Sequence, residues 1–333
     1  MEPLSRPSPH QAEGHGLRAP SPLEADVPLS PALAAQLRAH RIPFVEDAAL
    51  VKKTWWRVGG PADGYVEATE LQTLITLQRV CTEQGVPLFV LGNASNLLIS
   101  DAGIRGVVVR LTDQLADVHP EPGGSLRLGG GLKLISFLRR AGREGWTGLE
   151  MVAGVPGTVG GAVRMNAGTR LGEISDPLLE AGVVLPDGSV SVIGAEDLGL
   201  SYRSSRLPDG GIVAWARFSR GEHSPEESRR LVDEHLAYRA RTQPTDVPTC
   251  GSTFRNPPGD HAGRLIEATG LKGFTIGAAR VSPKHANFLV NLGGATASDL
   301  RRLIELIQER VAKAHGIDLE PEVQLVGDWG SGR

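Results

Sequence analysis

The sequence predicts an α+β protein with more than one domain. Several short apolar runs have the length of strands, and other segments carry helix caps followed by apolar positions on one face. Between the runs Ala181–Leu185 and Ser189–Ile193 lies Pro186-Asp187-Gly188, which is typical of an antiparallel hairpin. The 333 residues are enough for two or three domains with filled cores.

The composition argues against several classes of function. The formal net charge is −3, which does not favour a nucleic-acid binder. No apolar run has the length of a membrane span, and no secretory signal opens the chain. Cys81 and Cys250 are the only cysteines and lack metal-ligand spacing, so we expect neither a disulfide framework nor a metal site. We therefore expect a cytoplasmic protein.

The first part of the chain alternates polar segments with predicted helices and strands. Residues 1–27 are rich in Pro, Ser, Ala and His without apolar periodicity, which predicts a disordered leader. A helix is expected over Ser30–His40, with Ser30 as its N-cap. Thr69-Glu70-Leu71-Gln72 has the form of a capping box and predicts a helix that ends at Gly85. Pro87–Leu91 is then predicted to be a buried strand.

The middle of the chain continues this mixture. Val107–Leu111 is predicted to be a strand. Gly129-Gly130-Gly131 precede a predicted helix that ends near Gly145 and carries Leu134, Ile135 and Leu138. The hairpin follows, and Ile212–Phe218 is expected to be the last strand of this region.

A second domain is expected to begin near Gly221. Ser224-Pro225-Glu226-Glu227 combine a capping serine, a first-turn proline and a capping-box glutamate, so a helix should run to about Arg241. Ser298 is expected to cap a long helix that ends at Gly316. Its apolar residues share one face, at positions 300, 303, 304, 307, 311 and 314.

Two loops of small residues are candidates for ligand binding. Gly148–Gly168 contains six glycines and one proline, and we expect neither helix nor strand there because repeated glycine is unfavourable in both. Its backbone N–H groups could converge on a phosphate, with a turn between domains as the alternative. Gly92–Leu98 follows the strand predicted at Pro87–Leu91, where an α/β protein often binds its ligand. A plain Asx or Ser turn is the alternative for that second loop.

Three motifs that follow the glycine-rich run carry a family resemblance. They are Gly251-Ser252-Thr253-Phe254-Arg255-Asn256-Pro257, Lys284-His285-Ala286-Asn287-Phe288 and Leu319-Glu320-Pro321-Glu322-Val323. In this order, within a match that runs from about Thr54 to Val326, they resemble the UDP-N-acetylenolpyruvoylglucosamine reductase family, also called UDP-N-acetylmuramate dehydrogenase. The Gly-Ser-Thr-Phe form of the serine motif is similar to that of the shorter subtype, for which we expect a more open site.

The resemblance implies a fold, a cofactor and a reaction. Residues 28–221 would form a two-lobed FAD-binding domain of the vanillyl-alcohol-oxidase (PCMH-like) type, with lobes at about 28–95 and 96–221. Residues 222–333 would form a C-terminal α/β substrate-binding domain. NADPH would reduce a non-covalent FAD, which would reduce UDP-N-acetylglucosamine-enolpyruvate to UDP-N-acetylmuramate for peptidoglycan synthesis. The implied enzyme is a monomer.

The resemblance also implies roles for individual residues. Arg203 would hold the substrate carboxylate, Ser252 would donate a proton, and Glu322 would act with the arginine on the enol, whereas Glu320 would be structural. On a strand, Glu320 and Glu322 would share a face. The implied FAD contacts are Thr54, Gly59, Gly92, Asn93, Ala94, Ser95, Asn96, Leu97, Gly154, Pro156, Gly157, Thr158, Gly160, Gly161, Ala162, Asn166 and Gly168. The implied substrate contacts are Tyr202, Asn256, Lys272 and His285.

Some features leave alternatives open. Ala94 stands where the family commonly has glycine, and Thr169-Arg170-Leu171-Gly172 replaces the usual Ala-Tyr-Gly, which leaves the flavin contacts at both places undetermined. Arg239 and Arg241 are candidates for a phosphate contact, with a solvated helix face as the equal alternative. Cys250 is expected to be a small buried residue. For the whole chain, the competing interpretation is an FAD-dependent sugar or alcohol oxidase of the same fold.

Overall fold

The computed structural model describes residues 29–330, so the leader predicted at residues 1–27 lies outside the described range. The helices are α1 (Pro31–Ala39), α2 (Leu71–Glu83), α3 (Leu134–Glu144), α4 (Val159–Met165), α5 (Pro225–Thr242), α6 (Ala262–Ala268) and α7 (Ala297–His315). Short 3-10 turns lie at Val51–Lys53, Asp113–Ala116, Pro122–Gly124 and Glu150–Val152. The strands are β1 (Val45–Ala49), β2 (Pro61–Ala68), β3 (Leu88–Val90), β4 (Leu97–Ile99), β5 (Ile104–Leu111), β6 (Val118–Pro120), β7 (Leu126–Gly129), β8 (Gly168–Thr169), β9 (Gly172–Glu173), β10 (Leu178–Val184), β11 (Val190–Gly194), β12 (Ile212–Phe218), β13 (Thr249–Ser252), β14 (Thr275–Ile276), β15 (Ala279–Val281), β16 (Phe288–Asn291) and β17 (Gln324–Val326).

The first sheet has the order β1-β2-β5-β3 and is parallel except at β1. Its core joins apolar residues of α1 and α2 to β5, whose side chains are buried on both faces, as expected of a parallel strand covered by helices. The outer strand β3 was predicted to be buried and is not, because Val90 lies at the sheet edge and is 36% exposed. The sheet also extends through β5, beyond the lobe boundary predicted at about residue 95.

The second sheet is antiparallel throughout, in the order β11-β10-β12-β7-β6. The predicted hairpin is confirmed, since β10 and β11 pair directly and Leu185 N–H donates to Ser189 O across the turn. The predicted helix that ends at Gly145 is also confirmed as α3, and Gly145 caps it with φ +72°. Phe137 and Phe218 are buried together in the core beneath this sheet.

The third sheet, in the order β13-β16-β15-β14, is covered by α6 and α7. The apolar face predicted for α7 is buried at five positions, Leu300, Leu303, Ile304, Ile307 and Val311. Ala314 is exposed, because it lies in the last turn of the helix, beyond the edge of the core. Gly316 ends the helix with φ +68°, as predicted.

Helix starts were predicted correctly at two places and wrongly at two others. Ser30 caps α1 and Ser224 caps α5 through a complete capping box, as predicted. The capping box predicted at Thr69 is wrong, because α2 begins at Leu71 and its N-cap makes no side-chain hydrogen bond. The cap predicted at Ser298 is also wrong: Thr296 caps α7, with Asp299 completing the box.

Two further expectations are corrected by the structure. The run Gly148–Gly168 contains the short helix α4, although we expected no helix there. Gly160 fits inside α4 because an added Cβ would lie 3.1 Å from Gly130 O and 3.2 Å from Val213 O, so close packing of backbone favours glycine. Glu320 and Glu322 do not share a strand face, because they precede β17 and only Glu322 points inward.

Residues from the first half of the chain complete the C-terminal core. Trp56 is fully buried there, its Nε1–H donates to Leu289 O at 2.8 Å, and Asn291 Nδ2 donates to Trp56 O at 2.8 Å. Strand β17 pairs in parallel with β4. The carboxylate of Asp101 accepts from the N–H groups of Ala297 and Ser298 at the start of α7. The C-terminal part is therefore packed firmly onto the rest of the molecule.

Helix α5, predicted to open the second domain, packs against α3 and the turn Glu150–Val152. Ser228 Oγ–H donates to the buried carboxylate of Glu150 at 2.5 Å. The domain division at residue 221 stays a prediction. None of the helices between residues 29 and 330 has both the length and the apolar character required to cross a bilayer.

We predict that Trp56→Ala lowers the free energy of unfolding by about 3–5 kcal/mol, because it removes a fully buried ring and leaves a cavity. Denaturant unfolding followed by circular dichroism would measure this change. Trp55→Ala is the matched control: the Trp55 side chain is 41% exposed, so the change should stay within about 0.5 kcal/mol. Equal losses in the two variants would contradict the anchoring role of Trp56.

Candidate active site

Two loops of small residues face each other between the first two sheets. The Asn93 amide donates to Pro156 O, and this contact joins the loop 92–97 to the loop 154–158. A Cβ added to Gly92 would lie 2.8 Å from Thr158 Oγ1, so the loops approach too closely for a larger residue there. The two loops predicted to bind a ligand are thus adjacent in space.

Backbone N–H groups line this junction. Within residues 29–330, the N–H groups of Asn93, Ala94, Ser95 and Asn96 have no acceptor. Ala94 adopts a left-handed conformation with φ +47°, a backbone conformation found in concavities of successive N–H groups that bind anions. Such a concavity of successive unpaired donors is suited to an anion such as a phosphate. Ala94 thereby adopts a conformation that glycine adopts more readily.

Several of the predicted FAD contacts make hydrogen bonds or close contacts within the protein itself. Thr54 Oγ1–H donates to Val58 O at 2.8 Å, and Gly59, with φ +108°, packs closely on Ile99. The amide of Asn96 donates to Glu322 O at 2.9 Å. This last contact links the predicted cofactor loop to the predicted catalytic glutamate.

Arg239 lies against the glycine-rich run. A Cβ added to Gly154 would meet the Arg239 side chain at 2.6 Å, so glycine permits this packing. Burial lowers the pKa of Arg239, and no carboxylate within residues 29–330 lies within 4.0 Å of its guanidinium. A partly buried cation without a carboxylate partner favours the phosphate alternative over the solvated helix face.

Arg203 lies between two carboxylates. Its Nε is 3.2 Å from Glu322 Oε1, and its Nη1 is 3.6 Å from Glu173 Oε1. Nη2–H donates to Gly168 O at 3.1 Å, and the guanidinium lies 4.8 Å from the centre of the Tyr202 ring. The backbone of Arg203 is left-handed, with φ +55°, which is uncommon for a residue with a side chain. These contacts hold the guanidinium in one place.

Glu322 occupies a partly buried position beside Arg203, with its side chain 17% exposed. Burial holds the pKa of Glu322 above its usual value, against the opposing effect of the Arg203 and Arg255 guanidiniums. Its N–H donates to Thr253 O at 2.8 Å. This carboxyl group can therefore exist in the neutral form near a cation.

Ser252 ends β13, opposite Phe288 of β16, and its side chain is partly exposed. It precedes Thr253, whose carbonyl binds the N–H of Glu322, so the serine and the glutamate come from adjacent segments. Cys250 is buried as expected, and burial raises the pKa of its thiol to about 12, so it is unsuited to act as a nucleophile. The fold thus gathers Arg203, Glu322 and Ser252 in one region.

The residues predicted to bind substrate have local partners. Tyr202 is 48% exposed. Asn256 Oδ1 accepts from Ala262 N–H at 3.1 Å, which leaves its amide N–H groups for another partner. Lys272 lies 2.8 Å from Glu267. Burial and, next in size, the charge of Lys272 lower the pKa of His285, which favours its neutral form. Their roles as substrate contacts stay predictions.

The short hairpin β8–β9 contains the residues that depart from the family pattern. Arg170 Nε–H donates to His235 Nδ1 at 3.2 Å, and its guanidinium lies 4.3 Å from the centre of the Tyr238 ring, so the hairpin is fixed to α5. Glu173, at its end, was missed by the sequence analysis. Asn166 Nδ2, predicted to contact FAD, donates to Glu173 at 2.6 Å. The available signal for Glu173 was an acid directly after Gly172, at the end of the segment that departs from the family pattern.

Comparisons with known families cover most of the chain. A model described as an FAD binding domain matches residues 62–194. A second model, the C-terminal domain of UDP-N-acetylenolpyruvoylglucosamine reductase, matches residues 243–326. The first match includes both facing loops, and the second includes Ser252 and Glu322. The α+β architecture, with a PCMH-like FAD-binding part and a C-terminal part, is therefore confirmed.

Curated relatives and a solved structure agree with these models. Proteins named UDP-N-acetylenolpyruvoylglucosamine reductase are 45% identical in Anaeromyxobacter sp. (strain K), over 88% of each chain, and 40% identical in Halalkalibacterium halodurans, over 89% of this chain and 99% of the relative. The crystal structure of the Thermus caldophilus reductase superposes with a TM-score of 0.74 at 38% identity, covering 86% of this chain and 98% of that one. This chain belongs to the UDP-N-acetylenolpyruvoylglucosamine reductase family.

Proposed function

We propose that this chain is an NADPH-dependent flavoenzyme that reduces the enolpyruvyl group of UDP-N-acetylglucosamine-enolpyruvate to give UDP-N-acetylmuramate, a step of peptidoglycan precursor synthesis. The observation that carries the proposal is the cluster of Arg203, Glu322 and Ser252 beside two loops suited to a nucleotide cofactor. Family membership over nearly the whole described chain supports the same reaction.

The two facing loops have the properties that a non-covalent FAD would need. The unpaired N–H groups of residues 93–96 would hold its diphosphate, and the glycines of both loops leave room for close approach. A bound FAD would supply the hydride chemistry that links NADPH to the terminal alkene carbon of the substrate. The individual FAD contacts predicted from the sequence remain part of the proposal.

Arg203 would bind the substrate carboxylate. After hydride addition, the electron pair of the alkene lies on the carbon next to that carboxylate and spreads onto its oxygens. A guanidinium already held in place by Gly168 O and neighbouring carboxylates stabilises this developing charge without reorganisation. Tyr202, beneath the guanidinium, would complete the contact with the substrate.

Ser252 would donate the proton that completes the reduction. Its hydroxyl proton goes to the carbon beside the carboxylate, and the serine oxygen regains a proton from solvent, to which the side chain is partly exposed. A neutral Glu322, favoured by its raised pKa, would donate a hydrogen bond to the enolate oxygen. In this scheme the hydride comes from the flavin, Ser252 supplies the proton, and Arg203 and Glu322 stabilise the negative charge.

Four groups would bind the diphosphate and sugar of the substrate. Asn256, Lys272 and His285 were predicted as substrate contacts, with Asn256 at the diphosphate. Arg239, already a candidate for a phosphate contact, is included because its guanidinium has no carboxylate partner within residues 29–330. The proposal includes a monomeric enzyme in the cytoplasm. Two buried free cysteines, Cys81 and Cys250, support a reducing compartment.

The oxidase alternative has less support. The relatives that span this chain are named as reductases, and the loops that would hold FAD offer no His side chain for a covalent tether. Oxidase activity would give substrate oxidation with oxygen as acceptor.

A direct assay separates the two functions. The purified protein should carry a yellow flavin that is released on denaturation. It should consume NADPH at a rate that depends on the enolpyruvyl nucleotide sugar. If NADPH were oxidised at a rate that does not depend on this sugar, with oxygen as the acceptor, the reductase function would be contradicted.

We predict that Ser252→Ala leaves flavin reduction by NADPH unchanged but slows flavin reoxidation by the substrate by roughly 10²–10⁴-fold, because the proton donor is lost. Anaerobic stopped-flow absorbance measures the two half-reactions separately. Ser189→Ala, in the exposed hairpin turn, is the matched control and should change neither rate. Loss of the NADPH half-reaction in Ser252→Ala would show that the role assigned to Ser252 is wrong.

We predict that Gly92→Ala weakens FAD binding by about 1–3 kcal/mol, because the new methyl group, 2.8 Å from Thr158 Oγ1, forces the two loops apart. The ratio of flavin to protein absorbance after gel filtration measures retention. Gly142→Ala is the control: that glycine lies in α3, and its nearest neighbour, Arg229 Cγ, is 3.9 Å from an added Cβ. Full flavin retention by Gly92→Ala would contradict the requirement for close approach of the two loops around FAD.

A further inference from the structure

The guanidinium of Arg203 contacts two carboxylates, and only Glu322 has a role in the proposed reaction. Glu173 Oε1 lies 3.6 Å from Arg203 Nη1, on the side formed by the hairpin β8–β9. Gly168, in the same hairpin, accepts a hydrogen bond from Nη2. Arg203 is therefore held by the hairpin on one side and by Glu322 on the other.

The two carboxylates have different surroundings. The Glu173 side chain is 33% exposed to solvent and accepts a hydrogen bond of 2.6 Å from Asn166 Nδ2. The Glu322 side chain is 17% exposed, and its pKa is raised chiefly by burial. Of the two groups, Glu322 is the one suited to become neutral.

The balance of charge around Arg203 determines which of the two carboxyl groups leaves it when the substrate carboxylate binds. Its carboxylate would be the third to contact one guanidinium, and unbalanced negative charge in a partly buried site is unfavourable. Neutral Glu322 can leave Arg203 without leaving a buried charge behind. Glu173 can stay in place because water and Asn166 stabilise its charge.

We propose that Glu173 is a positioning residue, the permanent counter-ion that holds Arg203 while Glu322 releases the guanidinium to the carboxylate of the substrate. The inference rests on the proposed function. It adds to that function different roles for the two acids that contact Arg203: Glu173 positions the guanidinium, and Glu322 releases it. Arg170 supports the arrangement, because it fixes the hairpin to α5 through His235 and Tyr238.

The test compares Glu173→Gln with Glu173→Asp in anaerobic stopped-flow measurements. Glu173→Gln keeps the shape and removes the charge, so Arg203 is drawn toward Glu322. Flavin reduction by NADPH and the thermal unfolding midpoint should stay as in the wild type. Reoxidation at saturating substrate should slow by roughly 10–100-fold, since the guanidinium is displaced from the developing charge.

The pH dependence of reoxidation distinguishes positioning from a general structural effect. The wild-type rate should fall as the pH rises through the raised pKa of Glu322, because the neutral acid is the working form. Arg203 and Arg255 are the charged groups that lower the pKa of Glu322 against the effect of burial, and Glu173 lies on the other side of the Arg203 guanidinium. Removal of the negative charge of Glu173 makes ionisation of Glu322 easier, so in Glu173→Gln this fall should occur about one pH unit lower.

Conservative replacement and a distant control complete the experiment. Glu173→Asp retains the charge and should restore the pH dependence toward that of the wild type. Glu180→Gln removes a carboxylate paired with Arg217 at 3.0 Å in the second sheet and should leave rate and pH dependence unchanged. Wild-type rate and pH dependence in Glu173→Gln would overturn this inference alone, whereas a wild-type enzyme that the nucleotide sugar cannot reoxidise would overturn the proposed function.

Discussion

The ion pair between Arg203 and Glu322 connects the two chemical halves of this molecule. Arg203 is placed by the FAD-binding part, through Gly168 O and Glu173, while Glu322 comes from the segment before β17. A guanidinium and a carboxyl group that are four-fifths removed from water pair favourably only when their geometry is fixed and the remaining donors are satisfied. Much of the surrounding structure supplies that fixed geometry.

Contacts between distant segments hold the C-terminal part against the FAD-binding part, and they help to fix the geometry of this pair. Trp56 fills the C-terminal core, β17 pairs with β4, and Asp101 binds the start of α7. The amide of Asn96 joins the loop 92–97 to the backbone of Glu322. A site assembled from both ends of the chain keeps its distances only if these contacts between distant segments hold, so packing far from Arg203 contributes to its position.

Much of the fold could be predicted from local sequence. Caps at Ser30 and Ser224, the turn at Pro186-Asp187-Gly188 and the apolar face of α7 each depend on residues close together in the chain. Two of the errors arose where a distant segment contributed to the outcome. Ser298 resembles a cap, but its hydroxyl binds Asp101, and Thr296 caps the helix. The helix α4 forms within a glycine-rich run because it packs against the backbone of Gly130 and Val213.

The sequence by itself determined the family, the two small-residue loops and the side chains able to take part in the reaction. Motifs and turn signals are local properties of the chain, so they can be recognised without the fold. Only the tertiary structure decided which of those groups meet. Glu173 showed no role until folding brought it to Arg203. The family resemblance assigned Glu322 and not Glu320 to the reaction, but their spacing alone did not reveal that one is buried and the other exposed. Charge, burial and distance act through space, and the spacing of residues along the chain does not encode them.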